Sequence, residues 1–126
     1  MAAEFEVEVD VFSGRPNPRF TVSGDGAREL TKRLATLPAA RSEAAPRDTL
    51  GYRGLRVHAR DPGGRTATHD AAVLSAGLVV VPDPRTGARR LLRDDDRALE
   101  QWLFAIGSAT LDAVVRAVVE RDLADG

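Results

Sequence analysis

The sequence predicts an α+β fold, a mostly antiparallel sheet of about four to five strands with three helices, the last two consecutive at the C-terminus. Three observations carry this. Apolar and polar residues alternate with period two in short segments separated by Pro- and Gly-containing turns. Helical spacing occurs once between those segments and twice after them. The links following the first strand and around 61–64 are shorter than the roughly dozen residues that a parallel crossover needs. With 126 residues, the chain has room for a single domain, 1–126.

The first strand spans 4–12. Phe5, Val7, Val9 and Val11 share one face, and Glu6, Glu8 and Asp10 the other. Ser13-Gly14-Arg15-Pro16-Asn17-Pro18 stops it, and Phe20 and Val22 mark a short second strand. Ser23 or Asp25 caps a helix whose Ala27, Leu30, Leu34 and Leu37 lie on one side, and Pro38 ends it. The Pro-, Ala- and polar-rich stretch 38–50 reads as a mobile connection.

Alternation returns at 53–60, with Leu55, Val57 and Ala59 inward and Arg56, His58 and Arg60 outward. The outward face of the first strand is acidic and that of this strand is basic. Placed side by side they form ion pairs worth about 0.2–1 kcal/mol each, so the two strands are expected to be neighbours. Asp61-Pro62-Gly63-Gly64 is a turn, and 65–69 reads as a short edge strand. Leu78–Val81 and Ala88–Leu92 form a hairpin across a longer loop. Asp94-Asp95-Asp96 caps a second helix with a stripe of Ala98, Leu99, Trp102, Leu103 and Ile106, closed by Gly107. A third helix starts at Ser108 or Thr110 and turns Leu111, Val114, Val115 and Val118 inward, together with Val119 and Leu123.

Composition excludes several classes of function. Eighteen basic against nineteen acidic residues give a net charge of −1, so no global field draws in nucleic acid or an anionic membrane. Arg85, Arg89, Arg90, Arg93 and Arg97 make the densest basic stretch. Three aspartates interrupt it and no aromatic is interleaved for stacking, so it reads as a solvated face. The lack of cysteine rules out disulfides, thiolate metal sites and thiol catalysis, and two histidines cannot build a three-histidine metal site. Asp94-Asp95-Asp96 lacks calcium-loop spacing, and neither a Walker loop nor a dinucleotide fingerprint is present. No metal and no cofactor are expected. The acidic N-terminus, without an apolar run behind it, points to a cytoplasmic protein that does not enter a membrane.

Phe12-Ser13-Gly14-Arg15-Pro16-Asn17-Pro18, Leu50-Gly51-Tyr52-Arg53-Gly54 and the late-helix Glu100-Gln101-Trp102-Leu103 occur in this order along most of the chain. In this the sequence resembles an uncharacterised family of small bacterial and fungal proteins. The resemblance supports one domain and carries no activity and no site residue with it.

The most promising chemistry lies at one sheet edge. Pro16 and Pro18 fix two φ angles and bias Arg15 and Asn17 to extended backbone, so the loop is stiff. An antiparallel third strand would start beside the end of the first. Tyr52 and Arg53 would then join Ser13, Arg15 and Asn17 in an electropositive site for an acidic small molecule or a peptide carboxylate. Arg15 as a turn lock and Tyr52 as a core lid are the structural alternatives. A second reading is a cofactor-independent enzyme of isomerase, cyclase or hydrolase type. Arg15 and Tyr52 would polarise a carbonyl in it, and Asp10 or His58 would act as base. His69, beside Asp70, is a weaker candidate. A third reading is a structural homodimer, in which Ala109, Ala113 and Ala117 of the third helix make a contact on small residues. The chain is thus expected to be a monomer or homodimer, and above all a small binding or accessory module.

Overall fold

The structure is a computed structural model, and it describes residues 4–40, 51–61, 63–66, 71–83 and 85–125. Six strands form one antiparallel sheet in the order β2-β1-β3-β4-β5-β6. They are β1 Glu4–Asp10, β2 Arg19–Val22, β3 Gly54–Arg60, β4 Ala72–Ser75, β5 Leu78–Pro82 and β6 Arg89–Arg93. The helices are α1 Gly24–Thr36, α2 Ala98–Gly107 and α3 Ala113–Asp125. The α+β class thus stands, with six strands in place of the expected four to five.

The additional strand is β4. It joins β5 through a two-residue turn at Ala76 (φ 53°) and Gly77 (φ 88°), the left-handed pair that suits a tight hairpin. The edge strand expected at 65–69 is reduced among the described residues to one bridge, Thr66 opposite Arg60; 67–69, with His69, lie outside them. Part of the expected mobile connection is pinned. Ala39 bridges Leu92, Ala40 N–H donates to Leu91 O at 2.9 Å, and Arg93 N–H donates to Pro38 O at 2.7 Å. Residues 38–40 therefore cover the outer edge of β6, while 41–50 lie outside the described residues.

One face of the sheet is core. Val7 and Val9 of β1, Val22 of β2, Leu55 and Val57 of β3, Leu74 of β4 and Val79 of β5 are at most 1% exposed. They pack in one cluster with Ala27 and Leu30 of α1, Leu99, Leu103 and Phe104 of α2, and Val115 and Val119 of α3. Each such side chain contributes about 1.5–3 kcal/mol by leaving water.

The other face is charged on its β2-β1-β3 half. The expected pairing of β1 with β3 is present, with Glu4 opposite Arg60, Glu6 opposite His58 and Glu8 opposite Arg56. The contacts run partly on the diagonal: His58 Nε2 lies 3.2 Å from Glu8 Oε1, and Arg56 lies 3.6 Å from Asp10. From β2, Arg19 reaches Glu6 at 2.6 Å and Glu8 at 3.4 Å. Bonding to Arg19 is the largest influence on the Glu6 carboxyl and holds it below its ordinary value. Burial pushes Glu8 upward, but Asn17, His58 and Arg19 together outweigh it, so Glu8 too titrates low.

Candidate functional site

The 13–18 loop is built by Asn17. Its Oδ1 accepts from Val11 N–H at 3.0 Å and Phe12 N–H at 2.7 Å, and its Nδ2 donates to Glu8 Oε2 at 2.8 Å. The side chain thus takes the place of a neighbouring strand where β1 runs out, which satisfies two donors that would otherwise be orphaned. Gly14 (φ 84°) lets the chain turn, and Pro18 O accepts from Val9 N–H at 2.9 Å to start β2.

Arg53 locks the same end from the β3 side. Its N–H donates to Asp10 O at 2.8 Å, and its Nη2 donates to Asp10 Oδ1 at 2.8 Å and Phe12 O at 2.7 Å. Arg15 lies over the Phe12 ring, 3.7 Å from its centroid, in a cation–π contact with an exposed guanidinium. Ser13 is exposed. The structure therefore gathers Arg15, Asn17 and Arg53 around Phe12. Asn17 and Arg53 act there as internal braces, and Arg15 is the cation presented outward.

Tyr52 departs from the expected cluster. It is 2% exposed, and its hydroxyl donates to the Glu100 carboxylate. Arg97 grips the same carboxylate through Nε at 3.0 Å and Nη2 at 2.9 Å, and its Nη1 reaches Asp122 Oδ1 at 3.0 Å. Burial and the adjacent Glu100 push the Tyr52 phenol far above its ordinary range, so it stays protonated. The polarising pair expected for an enzyme, Arg15 with Tyr52, is not assembled: one side chain lies outside the core and the other within it. Nor do the expected bases converge. Asp10 is held by Arg53 and Arg56, and His58 is 7% exposed and faces Glu8, not Asp10. The aspartate run does cap α2, through Asp94, whose carboxylate accepts from Leu99 N–H at 2.8 Å and Glu100 N–H at 3.0 Å.

The sequence reading missed the other wall of the site. Val11, Phe12, Arg15, Pro16 and Pro18 face α3 across a cleft of about 540 Å³, whose far side is Val114, Val115 and Val118. Val114 and Val118 were expected in the core; they are 71% and 38% exposed. The reason is angular. The doublets Val114-Val115 and Val118-Val119 cover a wider arc of helix than the sheet can bury, so Val115 and Val119 go inward and their neighbours are left at the flank. Asp112, also at the rim, accepts from Val114 N–H at 2.8 Å and caps α3.

No family model, curated protein or solved structure matches this chain.

Proposed function

We propose that the protein is a small binding or accessory module that takes a short peptide segment into the cleft between the 13–18 loop and α3. An apolar side chain of the segment lies against Phe12, Val114 and Val118, and an acidic group meets Arg15. One observation carries this reading: of the three large apolar side chains exposed among the described residues, Ile106, Val114 and Val118, two line this single cleft. Apolar surface rimmed by polar groups is the usual mark of a binding groove. The stiffness of the loop adds to it, because a wall already held by Asn17 and Arg53 loses little freedom on binding. The acidic preference rests on Arg15, the cation at the rim, while Asp112 is engaged at the start of α3.

The test is selection from a displayed peptide library on the wild-type protein, counter-selected on Val118→Asp. Val118 is 38% exposed, so this variant keeps the fold, and circular dichroism verifies it. Enriched peptides should pair an apolar residue with Asp, Glu or a terminal carboxylate, and Arg15→Ala should weaken them about tenfold. Enrichment that ignores Val118→Asp, or no enrichment at all, refutes the cleft. Binding that survives Arg15→Ala unchanged removes the acidic preference.

A further inference from the structure

The sheet has two edges, β2 and β6, and only one of them is closed. At β6, residues 38–40 complete the ladder through Ala40 N–H to Leu91 O and Arg93 N–H to Pro38 O. At β2 the direction of the main-chain groups follows from the register. Val9 N–H donates to Pro18 O at 2.9 Å, which makes Val9 with Pro18, Val7 with Phe20 and Phe5 with Val22 the hydrogen-bonded pairs. Arg19 and Thr21 alternate with these, so each turns its N–H and C=O away from the sheet. Both residues are exposed, and their main-chain groups have no hydrogen-bond partner among the described residues.

The chemistry of an open edge selects an extended chain that continues the ladder. Two neighbouring features fit such a chain. Pro18, which immediately precedes Arg19, lines the loop cleft, so a peptide seated in that cleft leaves it beside β2. On the helix-covered side lies Ile106, the exposed large apolar residue that the cleft does not use. A methyl added at Gly26 would meet both Val22 Cγ1, at 3.3 Å, and Ile106 Cδ1, at 3.8 Å, which puts Ile106 beside the end of β2. Side chains of a strand alternate between faces, so every second residue of an added strand falls on the Ile106 side and the others beside Arg19 and Thr21. One N–H and one C=O on each of these two residues offer four main-chain bonds. That is a small contact for a second whole chain but a useful addition for a peptide already anchored in the cleft.

We propose that the peptide held in the loop cleft continues as an added strand along β2, bonded to the main chain of Arg19 and Thr21 and resting an apolar side chain on Ile106. This inference rests on the loop-cleft reading and gives its partner a class: an extended segment, apolar at alternate positions beyond the residues that anchor it. Affinity along the edge comes from the peptide backbone, and selectivity from the side chain at Ile106.

The probe is the tightest peptide from the library selection, resynthesised with single backbone N-methyl groups along its flank and titrated by fluorescence anisotropy. Methylation should weaken binding about tenfold at every second flanking residue and leave the residues between unaffected. Amide exchange gives a direct reading at the edge. The Arg19 and Thr21 amides should exchange freely in the protein alone and slow about tenfold with the unmethylated peptide. Ile106→Ser, a change at a residue 41% exposed, should weaken binding about fivefold while circular dichroism stays as in wild type. Binding that is lost in Val118→Asp, yet indifferent to methylation and without effect on the two amides, overturns the added strand and leaves the cleft standing. A selection that yields no peptide overturns both. Protection of Arg19 and Thr21 in the protein alone, rising with concentration alongside a dimer in sedimentation, also overturns the proposal, because the edge would then belong to a second copy of the chain.

Discussion

The Tyr52 hydroxyl donates to the carboxylate of Glu100, 48 positions further along the chain, and the two close the core at the point where β3 begins. Glu100 is 0% exposed and Arg97 is 4% exposed, so the interaction is a buried ion pair with a phenol as its third member. Such an arrangement persists only while every partner is present, since each group is costly to bury alone. Tyr52→Phe removes one donor and should cost about 1–3 kcal/mol. Glu100→Gln leaves the Arg97 charge half-answered and should cost about 3–5 kcal/mol. Urea unfolding measures both. Equal losses in the two variants would mean that the phenol, not the ion pair, dominates. Neither change should alter ligand selection at the loop cleft in the folded fraction.

Asn17 makes the second prediction, because one side chain serves both as a strand partner and as a brace. Asn17→Ala leaves the amides of Val11 and Phe12 unanswered and removes the tie to Glu8. The expected loss is about 1–3 kcal/mol, read from the urea midpoint. Amide exchange gives the location: protection at Val11 and Phe12 should fall while that of β4-β6 stays. Uniform loss across the sheet would show instead that the loop is part of the global unfolding unit.

The sequence disclosed the pairing of β1 with β3 because the signal there is redundant: period-two alternation on both strands, with acids on one and bases on the other. For Tyr52 the sequence left two readings, site residue or core lid, and strand alternation favours the wrong one. Counting back from the buried Leu55 and Val57 places Arg53 in the core and Tyr52 on the charged face. Gly54 (φ 133°) breaks that alternation just before it would apply, and the two side chains exchange faces. Its partner Glu100 reads on sequence as an ordinary helix acid, and nothing local marks it as buried. The strand β4 was missed because only Val73 and Leu74 of its four residues are large, between Ala72 and Ser75. For the candidate site, the loop wall was visible in its prolines and Asn17. The α3 wall was not, since an amphipathic helix does not say which valine of a doublet the sheet has room for.

The charged half of the sheet gives a dependence on pH with a definite sign. Glu6 and Glu8 titrate below the ordinary 4.5 in the folded protein. A carboxylate held low contributes stability that is fully present above its unfolded value and is lost as pH falls through the lower, folded one. Stability should therefore decline below pH 4.5 and hold above it, as far as these two groups decide. Arg19→Ala removes the largest influence on Glu6 and one of those on Glu8, so it should flatten the decline. Urea midpoints at about pH 7 and about pH 3 in both proteins make the comparison. A decline of the same depth in Arg19→Ala would place the acid sensitivity elsewhere.

Gly107, where α2 ends, decides how closely that helix can approach β2. A methyl group added there would fall within the ring of Phe20, which is 7% exposed and has no room to withdraw. The φ at this position is −109°, so the backbone itself accepts alanine and any effect comes from packing alone. Gly107→Ala should destabilise by about 1–3 kcal/mol, as overpacked cores do. The converse substitution separates crowding from other causes. Phe20→Leu alone leaves a space and should also destabilise, by less than about 3 kcal/mol. In the double variant the new methyl occupies part of that space, so its loss should be smaller than the sum of the two single losses by at least about 0.5 kcal/mol. Simple additivity would show that α2 shifts bodily to accept the methyl, and that the contact between Gly107 and Phe20 does not set the helix position.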